Sequence, residues 1–195
     1  LACDGFECAK VWRPDDPGSL DSHILFEEGQ YKAEPGFEDI PVGDVSWYGA
    51  VAYCAWLGKR LPTEAEWEKA ARGTDGRLFP WGNEWDPQGA TDILRPHVIG
   101  SQSINVSPYG VYDVLGNQVE WVADWYAPDY YAHSPLYNPS GPLEGEERIQ
   151  RSRGGGIDSQ GRIRFGLPSR LRSVPYHPFG GFRCAYSPGH KHDEP

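Results

Sequence analysis

The sequence predicts an α+β domain in which two helices and several short strands are joined by long irregular segments. Only two stretches carry strong helix signals, and the rest consists of short aromatic runs separated by turn residues. The 195 residues include 24 glycines, 18 prolines, 8 tryptophans and 11 tyrosines. We therefore expect aromatic packing, rather than long regular elements, to stabilise the domain.

Both helices have recognisable ends. Ser46 is a good N-cap for "WYGAVAYCAWL", and Gly58 is suited to end that helix. In "LPTEAEWEKAARG", Thr63 and Glu66 have the spacing of a capping box, and Gly73 ends the segment. On the first helix the residues predicted to share a buried face are Trp47, Val51, Cys54 and Ala55.

Strand signals are short. His23 to Phe26 forms one candidate strand, "ERIQR" follows an exposed loop, and "GGFRCAYS" reads as a closing strand. In "NQVEWVADWY" a period of two predicts a half-buried strand. Its predicted buried residues are Val119, Trp121 and Ala123, which alternate with Glu120, Val122 and Asp124.

The charge distribution limits the partners of the chain. A net charge of −10 argues against nucleic acid, because phosphate binding needs a cationic surface. Seven arginines nevertheless precede Arg183 from residue 148 onward. They form either a local anion site or ion pairs with the acidic remainder of the chain. No run of 18 apolar residues indicates a membrane span.

Four cysteines bear on the cellular compartment. An even count in an exported protein favours two disulfides, whereas four free thiols would fit the cytosol. Leu1-Ala2-Cys3 resembles the end of a bacterial lipoprotein signal, which would make Cys3 a lipid anchor, although three residues give this little weight. We expect an N-terminal arm (1–40), one domain (41–187) and a polar tail (188–195). The cysteines are Cys3, Cys8, Cys54 and Cys184.

Four ordered motifs resemble the formylglycine-generating enzyme (sulfatase-modifying factor) family. They are "PVGDVSWYGAVAYCAWLGKRLPTEAEWEKAARG", "FPWGNEW", "YGVYDVLGNQVEWVADWY" and "RGGG…GGFRCA", and together they cover about residues 41–186. The resemblance implies a variant of the C-type lectin fold with two helices, a small antiparallel or mixed sheet and much irregular structure. It also implies a disulfide between Cys54 and Cys184.

The resemblance implies a copper site that this chain does not carry. Active members oxidise a sulfatase cysteine to formylglycine with copper held by two cysteines, which follow a double glycine. The aligned positions here are Ser159 and Arg164. Copper(I) prefers soft thiolates, which neither residue supplies. We therefore expect no copper and no formylglycine synthesis.

A structural calcium ion is the second implication. The family's ligand positions correspond here to Asp113, Gly116, Gln118 and Glu120. Ca²⁺ takes carboxylate and carbonyl oxygens, so these residues suit it. The alternative is a buried Glu120 carboxylate paired with an arginine such as Arg183. The family's other calcium site is doubtful, because Thr91 replaces its asparagine.

Without the copper cysteines, we expect an exported module, periplasmic or at a bacterial cell surface, that binds a ligand or assembles with another protein chain. Residues 157–179 mix arginine with aromatic residues, which are favoured at binding hot spots, although an ordinary packed loop remains the alternative. A second reading is an enzyme with altered chemistry in the old cleft. The candidate binding residues are Trp125, Tyr126, Arg164, Arg170, Arg172 and His177.

Overall fold

The computed structural model describes residues 2–3, 6–7, 23–89, 96–152, 156–157, 163–164, 171–177 and 179–188. Two longer helices and a short third one accompany ten short strands in this part of the chain. The helices are α1 (Trp47–Trp56), α2 (Glu64–Arg72) and α3 (Tyr130–His133). The strands are β1 (Ala2–Cys3), β2 (Phe6–Glu7), β3 (Ile24–Glu27), β4 (Gln30–Ala33), β5 (Glu120–Trp125), β6 (Arg148–Arg151), β7 (Gly156–Ile157), β8 (Ile163–Arg164), β9 (Leu171–Ser173) and β10 (Gly181–Phe182).

A four-stranded sheet with the order β10-β5-β6-β9 organises the domain. The pairs β5–β6 and β6–β9 are antiparallel, whereas β10 runs parallel to β5. The sheet is therefore mixed, because the chain leaves β9 at one edge and returns as β10 at the other. On the way it meets the start of α1, where the Trp47 N–H donates to the Pro175 carbonyl at 3.0 Å. Three two-stranded hairpins, β1–β2, β3–β4 and β7–β8, accompany the sheet.

The central strand β5 is buried on both faces, so the prediction of a half-buried strand was wrong. Glu120, Val122 and Asp124, which were predicted to face solvent, are only 6%, 0% and 2% exposed. Two separate cores account for this. Trp121 packs with residues of α1 on one face, and Val122 packs with residues of α2 on the other.

Helix α1 begins as predicted, because the Ser46 side chain accepts from the Gly49 N–H. Three of the four residues predicted for its buried face meet the core: Cys54 is buried, and Trp47 and Val51 lie half-buried at the border. Ala55, the fourth, is exposed, whereas Gly49 and Ala50 are buried instead. The helix sequence has apolar residues on every side, so its periodicity could not place Ala55 correctly.

The disulfide between Cys54 and Cys184, expected from the resemblance, fastens α1 to the segment after β10. Cys54 is fully buried and lies in the same core as Trp121. The Trp121 indole N–H donates to the Val45 carbonyl at 2.7 Å, so the strand and the residues before α1 are joined by both packing and a hydrogen bond. Cys8, the expected disulfide partner of Cys3, lies outside the described residues.

Helix α2 covers the other face of the sheet. The predicted capping box is present, with Thr63 and Glu66 accepting from each other's backbone N–H groups, and Gly73 is the C-cap residue. Trp67 is 2% exposed, and its indole N–H donates to the Glu120 carboxylate at 2.7 Å. The helix therefore supplies both apolar packing and a donor for a buried strand carboxylate.

The remaining elements are small. The strand expected from His23 to Phe26 is β3, and β4 completes its hairpin. Helix α3 and a 3₁₀ turn over Pro87–Gly89 were not predicted. Among the described residues no helix is long and apolar enough to cross a membrane.

Candidate functional site

An irregularity in β5 creates the most unusual side-chain arrangement of the described chain. Trp121 pairs with Gln150 and Trp125 with Arg148, so β5 has two more residues than β6 between these pairs. In such a bulge, some backbone N–H and C=O groups have no hydrogen-bond partner on the neighbouring strand. Side chains satisfy two of them, because the Trp47 indole N–H donates to the Val122 carbonyl at 2.9 Å and Arg148 Nη1 donates to the Ala123 carbonyl at 2.6 Å.

The same two side chains form a stack with Trp125. The Arg148 guanidinium carbon lies 3.7 Å from the Trp47 ring centre and 3.4 Å from the Trp125 ring centre. The two indoles are nearly parallel, at 20°. The cation is thus held between two aromatic faces, where its interaction with the ring quadrupoles is strong because it is partly desolvated.

Arg148 is electrostatically unusual. Burial lowers its pKa to about 10, although the nearby Tyr48 and Asp124 side chains act in the opposite direction. Its Nε is buried without a hydrogen-bond partner. None of the ion pairs of the described residues includes Arg148. Aromatic rings, rather than a carboxylate, therefore provide most of its surroundings.

A second stack lies on the opposite face of the sheet. The Arg172 guanidinium lies 4.9 Å from the Tyr126 ring centre, and Arg172 Nη1 is 3.4 Å from a Glu147 carboxylate oxygen. The strand register explains the opposite faces, because Arg172 pairs with Ile149 rather than with Arg148. Both stacks lie where β5 and β9 end and β6 begins.

We call this surface the aromatic–arginine end; it consists of Trp47, Trp125, Tyr126, Arg148 and Arg172. It unites three of the six predicted binding residues, which are Trp125, Tyr126 and Arg172. His177 lies beyond β9 with its ring against Phe179 at 6.4 Å, and no described contact joins it to this surface. The side chain of Arg164, together with Arg170, falls outside the described residues.

Sequence reasoning missed Trp47 and Arg148 as members of this surface. Trp47 was assigned to the helix core, and Arg148 belonged to a group of arginines with no distinguishing spacing. Only the strand register and the bulge bring them to Trp125. The backbone at Gly145 also approaches Trp125 closely, because a Cβ on Gly145 would lie 3.0 Å from the Trp125 Cβ.

The loop with the predicted calcium ligands has a left-handed backbone at three positions, with φ of 57° at Asp113, 90° at Gly116 and 61° at Asn117. Asp113 is 8% exposed. Its Oδ2 accepts from the Gly100 N–H at 2.7 Å, and its Oδ1 is buried without a hydrogen-bond partner. Asn105 holds the loop through its side-chain bonds to Leu115.

Glu120 already has two partners. Arg183 donates to both of its carboxylate oxygens, at 2.6 Å and 2.5 Å, and Trp67 donates to Oε2. Burial lowers the pKa of Arg183, but the charge of Glu120 and its hydrogen bond outweigh burial, so the pKa is raised overall. These contacts match the alternative reading of Glu120 as an arginine-paired carboxylate.

Of the four predicted calcium ligands, only Asp113 keeps a side-chain oxygen without a described hydrogen-bond partner. Asp113 and Glu120 bring two negative charges and Arg183 one positive charge, which leaves the cluster with one uncompensated carboxylate. Asp113 Oδ1 is a hard oxygen of the kind that Ca²⁺ takes. The Gly116 carbonyl is less free, because it accepts from the Ser152 hydroxyl and from the Gln118 N–H. A cavity of about 490 Å³ borders these residues.

A third polar group is buried beneath α2. Asp124 Oδ2 accepts from the Glu64 N–H at 2.7 Å, at the first turn of the helix. Burial raises the pKa of Asp124 to about 6, opposed by this hydrogen bond and assisted by the Glu64 charge. Glu64 itself pairs with Arg151 at 2.7 Å, and Arg151 also contacts Glu68. The carboxylates here outnumber the arginines that reach them.

The segment after the double glycine, where the resemblance implies the copper cysteines, contains no cysteine before Cys184. Between residues 55 and 183 the sequence has no cysteine, and Cys54 and Cys184 are bonded to each other. Ser159 falls outside the described residues, and of Arg164 only the backbone is described, as part of β8.

Comparison with known proteins identifies relatives along most of the chain. A family model of the sulfatase-modifying factor enzyme 1-like domain matches residues 19–188. Serine/threonine-protein kinase pkn1 of Chlamydia caviae is 39% identical over 95% of this chain, and the formylglycine-generating enzyme of Streptomyces coelicolor is 38% identical over 84%. The mouse protein named inactive C-alpha-formylglycine-generating enzyme 2 is 35% identical over 77%.

These matches cover only part of each relative: 30% of the Chlamydia protein, 58% of the Streptomyces enzyme and 50% of the mouse protein. Among solved structures, PvdO from Pseudomonas aeruginosa has a TM-score of 0.58 with 24% identity, covering 80% of this chain and 67% of PvdO. That similarity concerns the fold alone.

Proposed function

The chain belongs to the sulfatase-modifying factor enzyme 1-like family, and from this premise we propose that it is a non-catalytic module of the family that binds a ligand or assembles with a partner protein. The observation that carries the proposal is the cysteine distribution. With no cysteine between residues 55 and 183, the aligned copper positions hold serine and arginine. Neither supplies the soft thiolate that copper(I) requires.

Two relatives are compatible with such a role. One is named inactive C-alpha-formylglycine-generating enzyme 2, so the family includes a member described as lacking the activity. The other, pkn1, is matched over only 30% of its length, so a domain of this kind forms part of a larger protein there. A fold can keep its framework while its site changes.

The aromatic–arginine end is the surface proposed for binding. It brings an exposed guanidinium, that of Arg172, and three aromatic rings to the end of the sheet where β6 begins, and such residues are enriched at interface hot spots. Arg172 is well suited to contact a partner, because its side chain is 58% exposed and its pair with Glu147 is long. Exposed ion pairs of this kind contribute little and exchange easily.

A first experiment tests for catalysis. Oxygen consumption is measured with copper and a sulfatase-type cysteine peptide, with the Streptomyces coelicolor formylglycine-generating enzyme as the positive control. We expect no turnover by this chain under conditions in which the control is active. Copper-dependent turnover would overturn the non-catalytic proposal and favour an enzyme of altered chemistry.

A second experiment tests for assembly. The protein is purified under mild conditions from its own source and examined by native mass spectrometry and sedimentation. We expect an additional bound mass that Arg172→Glu removes and that Lys69→Glu, an equal change of charge on α2, retains. A protein that carries no additional mass, or an Arg172→Glu variant that keeps it, would contradict binding at this surface.

We further propose that Asp113, Gly116, Gln118 and Glu120 hold a structural calcium ion. The buried, unpartnered Oδ1 of Asp113 supports this, as does the uncompensated charge of the cluster. Bound calcium would stabilise the native state by about 2.7 kcal/mol at one hundred times its Kd. We expect Ca²⁺ to raise the melting temperature of the wild type and of Asp75→Asn, and to leave Asp113→Asn unchanged. A wild type that is indifferent to Ca²⁺ would refute the site.

Export to an oxidising compartment, the periplasm or a cell surface, is the last part of the proposal. The Cys54–Cys184 disulfide supports it, because such bonds persist outside the reducing cytosol. Alkylation of thiols in intact cells, followed by mass analysis, should leave both cysteines unmodified until a reductant is added.

We also propose that the two helices on either face of a small mixed sheet are a variant of the C-type lectin fold.

A further inference from the structure

An apolar groove lies between the β3–β4 hairpin and α1, away from the aromatic–arginine end. Its volume is about 860 Å³, within the range of small-molecule sites. Val42 and Val45 line it beside Phe182, which belongs to the edge strand β10. We call it the hairpin groove. Of its lining residues, only Arg183, the partner of Glu120, takes part in a site proposed above.

Aromatic side chains form two walls of the hairpin groove. Tyr31 on the hairpin is 50% exposed and packs against Phe26, with ring centres 4.6 Å apart. Tyr53 on α1 is 49% exposed and meets Phe182 edge to face at 5.5 Å. Each ring is thus held in place by another ring while one side stays open. This arrangement suits a flat apolar group that enters between the walls.

The ionisable side chains of the groove are biased to one sign. Among the described lining residues there are three basic side chains and no carboxylate, although the whole chain carries a net charge of −10. The basic residues are Lys32, Lys59 and Arg183. Random placement of charge on so acidic a chain would favour carboxylates instead.

The three cations differ in their availability. Arg183 is committed to the buried Glu120. Lys32 pairs with Glu27, but both side chains are about half exposed, at 53% and 54%, so this pair contributes little and can exchange. Lys59 is exposed, and within the described part of the chain no carboxylate is paired with it. Lys59, assisted by Lys32, is therefore free to receive an anion.

We propose that the hairpin groove binds a small amphipathic carboxylate, with its apolar body between Tyr31 and Tyr53 and its carboxylate at Lys59 and Lys32. The two tyrosine rings bury the apolar body, and the two lysines complement the negative charge of the carboxylate. Neither feature alone selects this ligand. An apolar groove would equally take a neutral molecule, and exposed lysines alone would take any anion.

The test uses naphthalene-2-carboxylate as the probe and follows binding by nuclear magnetic resonance titration of the full chain. A ligand of this size is expected to bind with a Kd of about 1 mM or tighter. Its neutral counterpart, naphthalene-2-methanol, should bind more weakly by at least about fivefold, because it lacks the interaction with the lysines. The residues whose signals shift should be those of the groove.

Two charge-reversal variants separate local from general electrostatics. Lys59→Glu should weaken binding of the carboxylate by about tenfold and leave binding of the alcohol unchanged. Lys69→Glu, which makes the same change of charge on α2, should leave both unchanged. Equal effects of the two variants, or tighter binding of the alcohol, would overturn the assigned carboxylate. No shifts in the groove at about ten times the expected Kd would overturn the site itself.

Discussion

Replacing Asp124 by asparagine should make the protein more stable at neutral pH. Asp124 is 2% exposed beneath α2, and no basic group forms an ion pair with it among the described residues. Burial raises its pKa from 3.8 to about 6. Because the folded state binds this proton more tightly than the unfolded chain, the carboxyl group favours folding below pH 3.8 and loses this contribution as the pH rises through about 6.

The change in pKa gives the size of the effect on the free energy of unfolding. A pKa raised by about 2 corresponds to about 3 kcal/mol, at about 1.4 kcal/mol per pKa unit. About 2 kcal/mol of this loss of stability should occur between about pH 4.5 and about pH 8, the interval in which Asp124 titrates in the folded state. Asparagine keeps an oxygen that can accept from the Glu64 N–H, so the helix start retains its hydrogen bond.

The assay is urea unfolding of the wild type and Asp124→Asn across this pH interval, followed by tryptophan fluorescence with the disulfide intact. The free energy of unfolding of Asp124→Asn, relative to the wild type, should increase by about 2 kcal/mol from the acidic to the alkaline end. Asp75→Asn is the control, because that carboxylate is exposed and Arg77 lowers its pKa to about 2. Parallel pH profiles of the wild type and Asp124→Asn would refute the reasoning.

Three further changes test contacts that join distant segments. Converting Cys54 and Cys184 to alanine should lower the free energy of unfolding by up to about 5 kcal/mol, since the bond spans 130 residues; a reductant should lower the wild type equally and leave the variant unaffected. Glu120→Gln should cost about 3–5 kcal/mol, because it leaves the Arg183 charge without a carboxylate, and a double-mutant cycle with Arg183→Met should recover part of this; purely additive effects would argue against the pair. Arg148→Met should cost about 1–3 kcal/mol and alter the tryptophan emission, because it removes a donor and the stacked cation; unchanged emission and stability would show that the stack does not form in solution.

Local chemistry explains which elements could be predicted. The N-cap at Ser46 and the capping box of Thr63 and Glu66 depend on residues within one helical turn, and both are present. The burial of Asp124 could not be predicted in the same way. It depends on α2 covering the second face of the sheet, which no periodicity within β5 records.

The candidate site shows the same division between local and distant information. The choice of Trp125, Tyr126 and Arg172 followed from the cleft that the resemblance implies, and the structure places these three at one end of the sheet. Arg148 was missed because its position depends on a bulge. Between the pairs on either side of this bulge, β5 has two more residues than β6. The sequence of β5 alone does not indicate where the strand bulges.

Three contacts between distant segments hold the framework of this chain together. The disulfide fixes α1 to the end of the domain, the pair of Glu120 and Arg183 joins β5 to the same segment, and the Arg148 stack joins the start of α1 to β5 and β6. Each of these contacts joins segments that are far apart in the sequence, so long-range contacts between described residues hold the framework together. A scaffold of this kind can keep its two cores while its exposed arginines and aromatic rings take up another function.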